Sequence, residues 1–345
     1  MHGSIHLFER LPQVDPFAAE ADDARLPAAR RGEDRPLVGL IRNARSYRNK
    51  AADTAEAALE DVIVTTPEKR SELPGILERF AAERVDTIAI DGGDGTVRDV
   101  ITCGAGIFGE TWPRLIVLPN GKTNALAYDL GVPVGWSLTD ALAAMRRGNH
   151  VRRRPLVISE RDDASAQVRG FIMGTGIFNA CVDLGQRSHD LGAFNSAAVA
   201  VTAGWSVLQA LLGGEGNAWR QGSRMAVREG DGTPVPHLGG LPADERYLTL
   251  ATTLESFPAG IDVYRGIDAP LKLAVMDNAR RGLLLRIGAL ARGTASAATR
   301  SRGVHLLGGE GFEIDLSDTF ILDGEAFPAG NYRLSAGRPL RFVVP

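Results

Sequence analysis

The residues with the clearest chemical potential in this chain are Gly92-Gly93-Asp94-Gly95-Thr96. Glycines let a backbone approach a ligand closely and take positive φ, so the N–H groups of Gly92, Gly93 and Gly95 can point at one oxyanion. A helix expected to begin near Val97 would aim the positive end of its dipole at the same place. Asp94 stands apart, because a carboxylate beside phosphate oxygens is repelled unless it serves a magnesium ion, directly or through water, or takes a proton from an attacking hydroxyl. The plain alternative is a tight left-handed turn in which Asp94 only caps the helix.

A second polar loop, Asn120-Gly121-Lys122-Thr123-Asn124, follows the apolar run Leu115–Pro119. It offers a cation, a hydroxyl and an amide to the same phosphates. A P-loop reading of Gly121-Lys122-Thr123 fails, since its spacing needs glycine where Ile116 stands. Late in the chain, Asp323-Gly324-Glu325 places two carboxylates at the end of an apolar run. Alone, that triplet reads as an ordinary hairpin turn. Gly104, Gly106 and Gly109 spell a dinucleotide fingerprint, but a helix precedes them where a strand is required.

The elements that must hold these residues alternate. Strands are expected from Pro36 into the polar loop Asn43–Ser46 and over 61–66, 87–90 and 115–119, with helices over 50–59 and 68–83 between them. A short helix after Asn124 should end at Gly131 and Pro133, and Ser137 with Asp140 should cap a helix reaching Arg147. This pattern predicts a doubly wound parallel α/β domain with ligands at the carboxyl ends of its strands. After His150, short β-prone runs separated by turns predict an antiparallel sandwich. Two helical segments interrupt it. The uncharged 193–212 stretch is too polar for a good membrane span and suits a buried or surface-lying helix. Over 279–292, Leu283, Leu284, Ile287 and Leu290 form one stripe with Arg281, Arg286 and Arg292 off it, which suits an anionic membrane surface and a protein core equally.

With 345 residues, 44% hydrophobic content and a net charge of −3, the chain has room for two domains and lacks the basic excess of a nucleic-acid binder. Only Cys103 and Cys181 occur, without metal-ligand spacing, as expected in a reducing compartment. The first residues lack a signal peptide's apolar core, so a cytoplasmic protein is expected. Residues 1–35 read as a poorly ordered extension.

Together these stretches resemble the diacylglycerol kinase catalytic-domain family, which includes bacterial lipid kinases and the sphingosine and ceramide kinases. Gly92–Thr96 resembles its nucleotide loop, Pro119–Pro133 its second loop, Asn43–Ser46 its first-strand motif and Asp323–Glu325 its late acidic motif. The resemblance implies a nucleotide domain over 36–148 completed by a returning strand at 338–345, a β-sandwich lipid-substrate domain over 149–337, and an active site in the cleft between them. It implies ATP and Mg2+, with Asn43 and Ser46 facing the nucleotide and Gly92, Gly93, Gly95, Thr96, Gly121, Lys122, Thr123 and Asn124 around the phosphates. Asp94, Asp323 and Glu325 would serve catalysis, the first two also magnesium, with Asp94 and Glu325 both open as the general base.

The implied reaction is transfer of a γ-phosphoryl group to a lipid hydroxyl, diacylglycerol first, with ceramide or a sphingoid base as alternatives. The enzyme would be peripheral to the membrane, touching it through the 279–292 helix, with no nucleic-acid partner. Departures from the pattern are Ala44, Tyr47, Lys122 and above all the stretch 252–278, where the family's metal-binding segment is not legible. A non-catalytic lipid or nucleotide binder, and an NAD kinase, are the rival readings.

Overall fold

Runs that bury every side chain can only be interior strands, and three of them define the first unit. β3 (Thr87–Gly92) is wholly buried, and β1 (Val38–Arg42) and β4 (Arg114–Pro119) are nearly so, as a sheet covered on both faces requires. The structure, a computed structural model, describes residues 12–14, 36–44, 46, 61–180 and 220–345. The helix expected over 50–59, the 193–212 segment and most of the 1–35 extension lie outside these residues.

The first unit comprises Pro12–Pro155, Ala164–Gly170 and Gly337–Pro345. Its sheet has the order β2-β1-β3-β4-β18-β5, with β2 (Val62–Thr65), β5 (His150–Arg153) and β18 (Leu340–Val343). All neighbours pair in parallel except β18 and β5. Among the described residues, helices α1 (Leu73–Ala82), α2 (Asp94–Cys103), α3 (Ala105–Phe108), α4 (Ala125–Asp129) and α5 (Leu138–Arg146) belong to the unit. The fully buried ring of Phe80 on α1 rests on Gly39, where a β-carbon would lie 2.4 Å from it. Ser137 and Asp140 form the expected capping box of α5, and their hydrogen bonds hold the Asp140 carboxyl below its usual range. Gly104 joins two helices, so the apparent dinucleotide fingerprint has no strand before it. Strand β7 (Gln167–Gly170) lies along α2, where the Thr102 hydroxyl donates to the Arg169 carbonyl at 3.1 Å and accepts its N–H at 2.9 Å. Residues 12–14, within the stretch expected to lack order, bridge Gln13 to Ala166 and bury Val14.

The second unit comprises Leu156–Asp163 and Phe171–Ala336 and holds two antiparallel sheets. One runs β10 (Glu245–Arg246), β9 (Ser223–Glu229), β14 (Gly311–Leu316), β17 (Gly330–Ala336), β6 (Leu156–Glu160). The other runs β13 (Val304–Gly309), β12 (Leu271–Met276), β11 (Leu248–Thr252), β8 (Ile172–Gly176), β15 (Phe320–Leu322), β16 (Glu325–Phe327). Alternation buries Phe312 and Ile314 of β14 and Tyr332 and Leu334 of β17. Phe320 stacks on Phe327 at 5.3 Å and meets Tyr332 of the other sheet edge-on at 5.0 Å, so aromatic rings join the two sheets. Residues 168–173, one of the β-prone runs after His150, are divided at Phe171 between β7 and β8, which belong to different units.

The single helix expected over 279–292 is instead two short ones, α6 (Arg281–Leu284) and α7 (Ile287–Ala291), broken at Leu285 and Arg286. Leu283, Leu284 and Leu290 are buried in a cluster with Tyr247, Met276 and Val304, so the stripe faces its own core. Beside that cluster the buried Asp277 accepts from Arg246, His305 and the Leu238 N–H. Burial would raise its carboxyl, but these partners outweigh burial and hold it below the usual range.

Candidate functional site

Three loops leave adjacent parallel strands at one end of the first sheet, because β1, β3 and β4 are neighbours and Arg42 lies level with Asp91, and Asp91 with Leu118. Asp91, which the sequence reading did not single out, ties all three together. Its side chain accepts from Arg42 Nε at 2.9 Å and from Asn120 Nδ2 at 2.5 Å, and its carbonyl accepts the Asn43 N–H at 2.9 Å. Asn43 in turn donates from Nδ2 to Thr96 Oγ1 at 2.9 Å, and the buried Ser46 closes the first loop by donating its N–H to the Asn43 carbonyl. Thus Asn43, Ser46 and Thr96 are brought together.

The glycines act differently from the expectation. None of Gly92, Gly93, Gly95 or Gly121 has positive φ. Helix α2 starts at Asp94 with Gly93 as its N-cap, three residues before Val97, so Asp94, Gly95 and Thr96 form its first turn. What the positions require is absence of a side chain. A β-carbon on Gly93 would lie 2.9 Å from the α-carbon of Gly121, and one on Gly121 would lie 2.4 Å from that of Gly93. The two loops touch backbone to backbone.

Asp94 makes the second clasp. Its Oδ2 accepts the Ala125 N–H at 2.9 Å and its Oδ1 the Leu126 N–H at 3.1 Å, so it caps the start of α4 rather than its own helix. Burial raises the Asp94 carboxyl above its usual value, and these N–H groups offset part of that rise. Asn124 occupies a left-handed conformation that asparagine tolerates. Its amide accepts from the Gly121 N–H and donates to the Gly121 carbonyl, both at 2.9 Å, which staples the loop into shape. Between these fixed points Lys122 and Thr123 are exposed.

The donor set suits phosphate: the first turn of a ten-residue helix, closely packed glycine backbone and an exposed ammonium group. Among the described residues no group of three or more His, Cys, Asp or Glu side chains is placed to hold a metal. Magnesium needs fewer, since it is commonly bound by one or two carboxylates together with phosphates and water. Two carboxylates stand at these loops, Asp91 held by Arg42 and Asn120 and Asp94 held by the Ala125 and Leu126 N–H groups.

Asp323 and Glu325 belong to the second unit. Asp323 and Gly324, with φ of 45° and 83°, form the two-residue turn joining β15 to β16. The Asp323 carboxylate is fixed by N–H groups of Phe171 at 3.0 Å and Ile172 at 2.9 Å, while Glu325 opens β16 and is buried.

The family model for the diacylglycerol kinase catalytic domain matches residues 39–155, the stretch that carries all three loops. No curated protein matches the chain. Among solved structures, a diacylglycerol kinase from Bacillus anthracis str. Sterne aligns with a TM-score of 0.58 at 15% identity, over 90% of this chain and 97% of that one. Two further structures from that organism, provisionally described as diacylglycerol kinases, align with TM-scores of 0.61 and 0.59 at 16% and 17% identity, with the same coverage. At such identities the likeness establishes the fold, a parallel α/β unit and an antiparallel unit. No helix of the described residues is long and apolar enough to cross a membrane.

Proposed function

We infer that the chain is an ATP-dependent lipid kinase that phosphorylates a lipid hydroxyl, with diacylglycerol the first candidate and ceramide or a sphingoid base next. The observation that carries this reading is the clasp of three loops at the carboxyl ends of β1, β3 and β4, within the residues that match the catalytic-domain model. The first turn of α2 and Lys122 bind and orient the ATP phosphates, and the Asn43–Thr96 and Asn124–Gly121 hydrogen bonds keep those loops in place. Asp94 or Glu325 accepts the proton of the attacking hydroxyl, while Asp94 and Asp323 serve magnesium. Magnesium supplies charge neutralisation on the transferring group. A carboxylate raised by burial is a better base, which favours Asp94 for that role. The enzyme works in the cytoplasm and meets its lipid at the membrane surface.

The test is transfer of labelled γ-phosphate from ATP and magnesium into mixed micelles carrying each lipid in turn, with Glu325→Gln and Asp94→Asn alongside. Label in one lipid, lost in the variants, establishes the kinase and names its acceptor. One observation favours a second reading, a non-catalytic lipid or nucleotide binder: both Asp94 oxygens are already engaged by backbone N–H groups. ATP binding without label in any lipid would support it. Label in NAD and not in lipid would instead point to an NAD kinase.

A further inference from the structure

The far edge of the first unit's sheet carries an arrangement that a free-standing sheet avoids. Arg341 on β18 lies directly opposite Arg152 on β5. On the other side of β18, Phe342 pairs with Leu115 of β4. The residues one step earlier, Arg341 and Arg114, therefore point to the opposite face, in line with Arg152. Three neighbouring strands thus bring a row of three guanidinium groups to one face. Like charges placed directly across a strand pair destabilise it.

More positive charge adjoins the row. Helix α5 ends in the exposed Arg146 and Arg147 and turns through Gly148 and Asn149 into β5, and the exposed Arg154 follows that strand. Among the described residues none of these six arginines has a carboxylate partner; the Arg154 side chain donates to the Gly337 carbonyl. The neighbouring Arg153 differs, since it turns to the other face and pairs with the buried Asp129 at 2.6 Å. Edge strands often carry charge that blocks further pairing, and this accounts for Arg152. It does not account for Arg341 and Arg114, which lie on interior strands, nor for the want of a carboxylate partner among the described residues. In a chain whose net charge is −3, this face is a local reversal of sign.

We propose that this arginine face of β4, β18 and β5, with the end of α5, docks the protein on a membrane surface rich in anionic phospholipids. The repulsion within the row is relieved when headgroup phosphates lie against it, and the attraction needs charge density more than fixed geometry. The choice of a membrane as partner rests on the lipid acceptor proposed above; the arginine row itself does not.

Full-length protein is sedimented with phosphatidylcholine vesicles, with and without about one-third phosphatidylglycerol, at low and high salt. Binding to the anionic vesicles alone, released by salt, is expected. Arg152→Gln with Arg341→Gln should bind about thirtyfold more weakly, and Arg152→Lys with Arg341→Lys should bind like wild type. Equal loss in the lysine and glutamine pairs would overturn the proposal, as would equal binding to uncharged vesicles. Retention on single-stranded RNA without retention on anionic vesicles would overturn it in favour of a nucleic-acid partner. Phosphorylation of a short-chain, monomerically dissolved diacylglycerol should be the same in wild type and the glutamine pair. If wild type phosphorylates no lipid yet binds anionic vesicles, the kinase reading fails and the docking face stands.

Discussion

Gly93 and Gly121 meet with no room for a β-carbon on either: one on Gly93 would lie 2.9 Å, and one on Gly121 2.4 Å, from the other's α-carbon. They lie on loops from neighbouring strands, so their contact sets the distance between the two halves of the proposed phosphate site. A methyl group here must push backbone, not a flexible side chain.

Gly121→Ala should therefore lower kcat/KM for lipid phosphorylation by about a hundredfold, the usual effect of a 1 Å displacement in a reacting site. The cost in stability should stay near 1–3 kcal/mol, typical of overpacking. Steady-state kinetics beside urea unfolding checks both. Normal kinetics with a folded variant would refute the role of the contact.

Asp94 predicts a pH dependence with a definite sign. Burial raises its folded-state value, so the folded chain holds this proton more tightly than the unfolded chain. Its contribution is fully present below the unfolded value and is lost as pH rises through the folded one. The stability margin of wild type over Asp94→Asn should narrow as pH rises from about 4 toward neutrality, read from urea midpoints. If ionised Asp94 is the base, kcat/KM should also fall on acidification at a pH above the ordinary carboxylate range. A widening margin would mean that the Ala125 and Leu126 N–H groups prevail over burial.

Asp277 predicts the opposite sign. Its folded value is depressed, so its contribution is present above the unfolded value and is lost as pH falls through the folded one. Asp277→Ala should cost about 3–5 kcal/mol at neutral pH, since it strands the buried Arg246. The difference from wild type should begin to shrink below about pH 4 and vanish only once pH passes the depressed folded value, where the wild-type carboxyl is protonated too.

Leu283 separates a core role from membrane contact. It is 0% exposed, so Leu283→Ala should lower stability by about 2–5 kcal/mol. Vesicle affinity of the folded variant should not change. Weaker vesicle binding at unchanged stability would instead assign the 279–292 segment a membrane contact.

The sequence revealed the fold well where one period dominates. β-Branched runs alternating with capped helices announced the parallel sheet, and the short runs after His150 announced antiparallel sheets. It was less informative where two environments share one run. The stretch 168–173 is uniformly β-prone, yet Phe171 is the bend at which it passes from one unit to the other. In β9 the pattern is faint, because only Met225 and Val227 supply apolar inward positions between Arg224 and the charged pair Arg228 and Glu229. The 279–292 stripe kept its leucines inward, but the register of a stripe does not reveal a break at Leu285.

In the candidate site the residue types were legible and their partners were not. Asp91 looks like the polar end of a strand until Arg42 and Asn120, 49 and 29 residues away, are seen to converge on it. Glycines that seemed to need positive φ need proximity instead. Asp94 reaches across to a helix 31 residues on, a relationship no local pattern encodes.

Strand β18 lies between β4 and β5, so the first unit takes one of its interior strands from the far end of the chain. During synthesis, β1 to β5 emerge long before Leu340 and wait with a gap in their midst. Until it is filled, the apolar flank of β4 remains open to any passing strand. The second unit must therefore be synthesised before the first sheet can close, and over the interval between His150 and Leu340 the nascent chain carries an unpaired strand edge.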